Sequence, residues 1–184
     1  MQSAFERSAR KSDRSPTSLS LRMGLCLAIM MSTPVVCSSE ELDGNGFHGI
    51  GWGTALADVE ELILVESSNP VQTYVLKNRS PQLGNIALDS LRFVAIDGEF
   101  ARVSIRYSGG ENHNRILAYF ESKLGQIDRI PGSMMRGLNQ QYTWRNPNTM
   151  VNLSYRSYQD RGTVFIESRT LAPRFNDVLP NDAF

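Results

Sequence analysis

The sequence predicts an α+β domain in which two helices pack on one face of an antiparallel β-sheet, in the order helix, three or four strands, helix, three strands. Three observations point there. Apolar residues recur at three- and four-residue spacing after Thr54, and again from Ile116 to Leu124, which is the spacing of a helix face. Elsewhere apolar and polar residues alternate, as in a strand with one face packed and one wet. Asp97-Gly98 lies between two alternating runs, the pair that a two-residue hairpin turn favours. A meander following each helix also allows two similar halves joined through a continuous antiparallel sheet.

The elements are preceded by a leader. Residues 1–22 are Ser-rich and basic, and Met23 to Met31 is an apolar run too short to span a bilayer, followed by Pro34 and small residues. That order predicts a signal peptide over residues 1–38, cleaved after Ser38, and export to the periplasm or the extracellular space. Both cysteines, Cys26 and Cys37, lie inside it, so the exported domain is expected to carry no thiol, disulfide or cysteine metal site. The alternative is lipidation at Cys37, which would become the first residue of a membrane-anchored lipoprotein; here Pro34-Val35-Val36 stands where a lipobox has leucine and small residues. No membrane span is expected in the exported chain.

The chain carries 19 basic and 19 acidic residues. Setting aside Arg7, Arg10, Lys11, Arg14 and Arg22 with Glu6 and Asp13 leaves 14 basic against 17 acidic residues, a net charge of −3. A nucleic-acid partner selects a basic excess, so none is expected.

Residues 39–46 form an acidic, Gly-rich lead-in, and the domain is expected over 47–172. Phe47 to Gly53 reads as a short strand or extended segment. Thr54 caps the first helix, with Leu56, Val59, Leu62 and Ile63 on its apolar face and Asp58, Glu60 and Glu61 outside. From Glu40 to Glu66 there are seven acids and no Lys or Arg, a solvated helix face or an acidic docking surface. Strands follow at Val71 to Leu76 and, after Pro81 and Gly84, at Asn85 to Ala87. The hairpin joins Leu91 to Ile96 with Phe100 to Tyr107; in its second arm Ala101, Val103, Ile105 and Tyr107 point to the core and Arg102, Ser104 and Arg106 to water. Asn112 or Asn114 caps the second helix, Ile116, Leu117, Phe120 and Leu124 form its stripe, and Gly125 ends it. A linker, Ile130-Pro131-Gly132-Ser133, leads to strands at Gln141 to Arg145, Met150 to Arg156 and Gly162 to Ser168, separated by Asn146-Pro147-Asn148 and Gln159-Asp160-Arg161-Gly162. Residues 173–184, with Pro173 and Pro180, are expected to be a flexible tail.

No spacing in the chain demands a particular chemistry. The two histidines, His48 and His113, have neither H-x-x-x-H nor H-x-x-E-H spacing and read as surface or capping residues, so no metal is expected. Gly44-Asn45-Gly46-Phe47-His48-Gly49 spells G-x-G-x-x-G, but an acidic coil precedes it where a dinucleotide fold needs a strand, and no cofactor is expected. Neither a phosphate-cradling P-loop nor a G-x-S-x-G serine elbow occurs. The pattern that carries a binding reading is the wet face of the sheet. Alternation places Arg102, Arg106, Arg145 and Arg156 there with Gln141, Thr143, Asn152 and Ser154, a band of guanidinium groups suited to carboxylate, phosphate or sugar-acid groups. The same face also reads as a solvated one whose Arg stems cover apolar surface. Trp52, Tyr142 and Trp144 read as core.

Phe47-His48-Gly49-Ile50-Gly51-Trp52-Gly53-Thr54, followed by Leu56 and Val59 and by the late Tyr142-x-Trp144 strand, resembles a group of small uncharacterised bacterial exported proteins. The likeness covers most of the exported chain and implies an envelope location without an assigned activity. The Gly53-Thr54-x-x-x-x-Val59 helix start is also similar to that of small outer-membrane assembly lipoproteins, from which the chain departs in having one helix rather than two before its sheet. These readings lead to an exported, non-catalytic binding or assembly module whose partner is a protein or an anionic envelope ligand. A small hydrolase or ligand-processing enzyme, using Asp97, Glu99 or Glu111 with His113 in a cleft between the halves, is the competing expectation. A secreted inhibitor of another protein is a third.

Overall fold

Two meanders meet on the longest strand of the domain, and their pairing there makes one seven-stranded antiparallel sheet. The computed structural model describes residues 42–127 and 139–178. The predicted signal peptide, its cleavage site, Cys37, the linker at Ile130 and positions 179–184 lie outside those residues. In chain order the elements begin with a small hairpin, β1 (Gly46–Phe47) and β2 (Ile50–Gly51), and a 3-10 turn at Leu56–Asp58. Then come β3 (Leu62–Ser68), β4 (Val71–Leu76), a second small hairpin of β5 (Gln82–Leu83) and β6 (Ile86–Ala87), β7 (Ser90–Ile96) and β8 (Glu99–Ser108). Helix α1 (Gly110–Leu124) precedes β9 (Asn139–Arg145), β10 (Thr149–Arg156) and β11 (Arg161–Ser168), and a 3-10 turn at Ala172–Asp177 closes the series. The sheet order is β3-β4-β7-β8-β11-β10-β9.

This order overturns the expected two-helix α+β packing. The chain is mostly antiparallel sheet, and α1 is the one α-helix among the described residues. After Thr54 the backbone makes a single 3-10 turn, is extended again at Val59 (φ −86°, ψ 108°), and enters β3. The physical reason is the contiguous run Leu62-Ile63-Leu64-Val65, in which helical spacing and strand character coincide. A helix would have turned Leu64 and Val65 toward its acidic side; as a strand the run satisfies its backbone groups against β4 from Leu62↔Leu76 to Ser68↔Val71. Without a first helix, the reading as two similar helix-led halves also falls.

The other elements follow their sequence signals. Asp97 and Gly98 both have positive φ, 52° and 83°, as a primed hairpin turn requires, and they hold β7 against β8. Helix α1 starts after Gly109 (φ 94°), without a side-chain cap, so Asn112 and Asn114, the expected caps, lie inside it; it stops at Gly125 (φ 88°), whose carbonyl accepts the Trp144 indole N–H at 3.0 Å. Ile116 and Phe120 of α1 are fully buried against the sheet face formed by Phe93, Val103, Ile105, Val151, Leu153, Val164 and Ile166. Among the described residues no helix is long and apolar enough to cross a membrane.

A register shift between Val94 and Ala95 changes the parity of the second hairpin arm at its start. Val94 is opposite Arg102 and Ala95 is opposite Phe100, so Ala101 is the extra residue of a bulge. Ala101, expected on the main core face, therefore packs on the other side with Ile96, Leu171 and Phe175. Phe175 belongs to the final 3-10 turn, so Ala172–Asp177, most of which falls in the predicted flexible tail, covers one corner of the second sheet face.

The N-terminal hairpin is tied to the sheet through Thr149, a buried residue at the start of β10. Its hydroxyl accepts from the Trp52 indole at 2.8 Å and donates to the Gly44 carbonyl at 2.6 Å, while the Trp52 ring lies 4.7 Å from that of Phe100. Replacing Thr149 by Val keeps the shape and removes both bonds. Leaving a partly buried indole N–H and a carbonyl without partners costs about 1 to 3 kcal/mol. Chemical denaturation of Thr149→Val should therefore show a lower midpoint with an unchanged denaturant slope; an unchanged midpoint would mean that the hydroxyl does not anchor this hairpin.

Candidate functional site

Strands β8, β11 and β10, neighbours in the sheet, decide which side chains share the polar face. Tyr107 and Ile105 of β8 lie opposite Gly162 and Val164 of β11, which lie opposite Tyr155 and Leu153 of β10, and these rows form the packed face. The intervening positions point the other way. Arg106, Thr163, Ser154 and Gln141 form one transverse row across β8, β11, β10 and β9, and Ser104, Phe165, Asn152 and Thr143 form the next. Thr143 and Asn152 are hydrogen-bonded at 2.9 Å across this face.

The structure divides the predicted arginine band. Arg156 stands directly opposite Arg161, and Arg106 stands opposite Thr163, two residues along β11 from Arg161. Directly opposed Cα atoms are about 5 Å apart and diagonal ones about 7 to 8 Å, so Arg161 stands between Arg156 and Arg106, within side-chain reach of each. All three residues are exposed, and none of their guanidinium groups forms a hydrogen bond or ion pair among the described residues. Thr163 and Ser154 add hydroxyls between them. Asp89 lies at the rim, where its carboxylate accepts the Ser108 hydroxyl at 3.0 Å. Like charges directly opposed across an antiparallel pair destabilise it. Arg156 and Arg161 stand in that relation, and neither makes an ion pair among the described residues.

Arg102 and Arg145 are not in this patch. Arg102 lies in another row, opposite Glu167, and makes an ion pair with it at 2.6 Å; its side chain is 12% exposed and that of Glu167 is 9% exposed. The guanidinium sits 4.2 Å from the Phe175 ring centre and 5.3 Å from that of Phe165. Its charge is used inside the fold, where it holds the final 3-10 turn on the sheet. Arg145 is exposed at the far end of edge strand β9, opposite Met150. The sequence puts Arg161, which completes the patch, in the turn Gln159-Asp160-Arg161-Gly162, whereas the structure has it as the first residue of β11. Counting back by twos from Phe165 and Thr163 would have placed it on the polar face.

A second cluster occupies the packed face, where helix α1 meets β8. His113, read from the sequence as a surface or capping residue, is instead 2% exposed. Tyr107 donates its hydroxyl to Nδ1 at 2.8 Å, and Nε2 donates to Gln140 Oε1 at 3.0 Å; Tyr142 also donates to Gln140 Oε1, at 2.8 Å. The set is consistent with a neutral ring bearing its proton on Nε2, since Gln140 Oε1 is an acceptor. The His113 ring stacks on that of Tyr155 at 4.2 Å, and Tyr155 donates to Asp160 at 2.6 Å. Gly162 makes room for this arrangement. A Cβ there would come within 2.0 Å of the Tyr107 ring.

Burial pulls the His113 imidazole below the usual histidine range, against the smaller opposing effect of the hydrogen bond that Gln140 accepts from it. Burial pushes the Tyr107 phenol far up, and the neighbouring Tyr155 and Tyr142 phenols add to this. The hydrogen bond to Asp160, then burial and the Asp160 charge, raise Tyr155. The acids considered as partners of His113 lie elsewhere. Asp97 and Glu99 flank the β7-β8 turn beside Arg174, at 3.8 Å and 2.6 Å from its Nη1, and Glu111 is exposed in the first turn of α1. No group of three or more His, Cys, Asp or Glu side chains that could hold a metal ion occurs among the described residues.

The titration has a definite sign. The unfolded chain takes up a proton at His113 near pH about 6.5 while the folded chain resists it, so stability is full above that pH and falls as the pH drops below it. The melting temperature should therefore decline between about pH 7.5 and about pH 5, and His113→Gln should show a shallower decline from a lower starting value. Parallel declines for the two proteins would mean that His113 does not titrate in this way. Above about pH 10 the opposite shift at Tyr107 acts, and stability falls as the unfolded chain ionises.

Comparison with protein-family models, with curated proteins and with solved structures finds no match to this chain.

Proposed function

We propose that the chain is an exported, non-catalytic binding module that holds an anionic group of an envelope partner through Arg106, Arg156 and Arg161. One observation carries the reading: three exposed arginines, whose guanidinium groups form no hydrogen bond or ion pair among the described residues, stand in neighbouring register positions on the polar face of a sheet, in a chain that is net acidic once its predicted leader is set aside. A merely solvated face gains nothing by opposing Arg156 to Arg161, whereas a bound carboxylate, phosphate or sulfate relieves their repulsion and takes up their planar donors. The hydroxyls of Thr163 and Ser154 supply neutral donors between the charges. His113 does not compete with this reading, because its ring nitrogens are engaged by Tyr107 and Gln140.

The test uses an immobilised sulfated polysaccharide as the anionic probe. The unmodified exported chain should be retained at low ionic strength and released as salt screens the contact, over a Debye length of about 10 Å at about 0.1 M. Arg106→Ala, Arg156→Ala and Arg161→Ala combined should pass through unretained, with an unchanged circular dichroism spectrum. Arg145→Ala should behave as the parent. Equal retention of the triple variant and the parent would remove the patch from the proposal.

A further inference from the structure

We propose that β3 is a strand-addition site for an extended segment of a partner protein that has an apolar centre and basic flanks. Strand β3 ends the sheet order, so one side of it pairs with β4 and the other has no strand among the described residues. It is seven residues long, and Ile63, Leu64 and Val65 are 45%, 48% and 51% exposed. Exposed edges are usually blunted by Pro, by Lys or by an inward charge. Leu62–Ser68 has no Pro, Lys or Arg; its guards are a bulge between Leu64 and Glu66 and the exposed charge of Glu66 itself, and the run Leu62-Ile63-Leu64-Val65 has neither Pro nor charge. Consecutive large apolar side chains on an unpaired edge are the arrangement that accepts another strand, the backbone supplying affinity and the side chains selectivity.

Charge selects the occupant. Asp58, Glu60 and Glu61 lie on the approach to β3 and Glu66 lies within it, all four exposed. Near them Arg92 reaches Glu66 at 3.6 Å, and Lys77 donates to the backbone carbonyl of Glu60. The carboxylates of Asp58, Glu60 and Glu61 have no ion pair among the described residues. A second copy of this chain paired antiparallel along the middle of β3 would set its Glu66 diagonally across from the first, about 7 to 8 Å away, where like charges repel. Lys or Arg on either side of an apolar partner strand would instead be attracted. This surface is separate from the arginine patch, which lies across β8, β11 and β10, so either proposal can fail alone.

The probes are two synthetic peptides with the same alternating Val-Thr-Val-Thr-Val centre, one flanked by pairs of Lys and the other by pairs of Glu. The Lys-flanked peptide should bind about tenfold or more tightly than the Glu-flanked one, a difference of about 1.4 kcal/mol. Its binding should slow amide exchange at residues 62–68. Leu64→Ser with Val65→Ser, at exposed positions that leave the melting temperature close to the parent value, should abolish the protection. Glu60→Gln with Glu61→Gln should bring the two peptides toward equal affinity. Equal binding of the two peptides to the parent chain, or no protection at 62–68, would overturn the proposal. So would a free chain that sediments as a dimer with residues 62–68 already protected, because a second copy would then own the edge.

Discussion

Everything else in this fold is downstream of the ladder between β8 and β11, from Arg161↔Ser108 to Glu167↔Arg102. It joins strands more than fifty residues apart and turns two separate meanders into one sheet. Because side chains alternate with a period of two, this single register assigns every neighbouring residue to one face or the other. One step of slippage would send Val164 and Ile166 to water and Thr163 and Glu167 into the core. The packed face therefore defends the polar face, although no residue of the arginine patch is itself buried.

The same ladder explains why two polar clusters lie back to back at one end of the sheet. Gly162, across from Tyr107, leaves space for a phenol ring over the strand, so that Tyr107 can reach His113 at the start of α1. The residues on either side of Gly162 face the other way, and they are Arg161 and Thr163. A buried histidine is costly unless both ring nitrogens are satisfied. Here Tyr107 and Gln140 meet that need, and stacking on Tyr155 fixes the ring orientation. The result locks α1, β8, β9 and β10 beneath the strands that display Arg106, Arg156 and Arg161.

Arginine is used here in two physically different ways. Arg102 is enclosed by Glu167, Phe165 and Phe175, where a charge is tolerated because a carboxylate and two ring faces replace water. Arg106, Arg156 and Arg161 are exposed, and their guanidinium groups form no hydrogen bond or ion pair among the described residues. The difference arises from the bulge at Ala101 and from the final 3-10 turn. Together these cover one corner of the sheet and leave the opposite end open.

The sequence alone determined those features that rest on local chemistry. Alternation located β4 and β7 to β11 to within two residues, Asp97-Gly98 announced its own turn, and Gly125 marked the end of α1, because turn geometry and face polarity are written in neighbouring residues. Parity along those strands also put Arg106 and Arg156 on the polar side. Tertiary structure decided what local spacing left degenerate. Leu62 to Val65 became an edge strand because β4 was there to take its backbone hydrogen bonds, and His113 became a core residue because Tyr107 of β8 and Gln140 of β9, on strands separate from its helix, closed around it. Which arginines stand together was settled by pairing between strands, an interaction between remote segments that no spacing within one segment encodes.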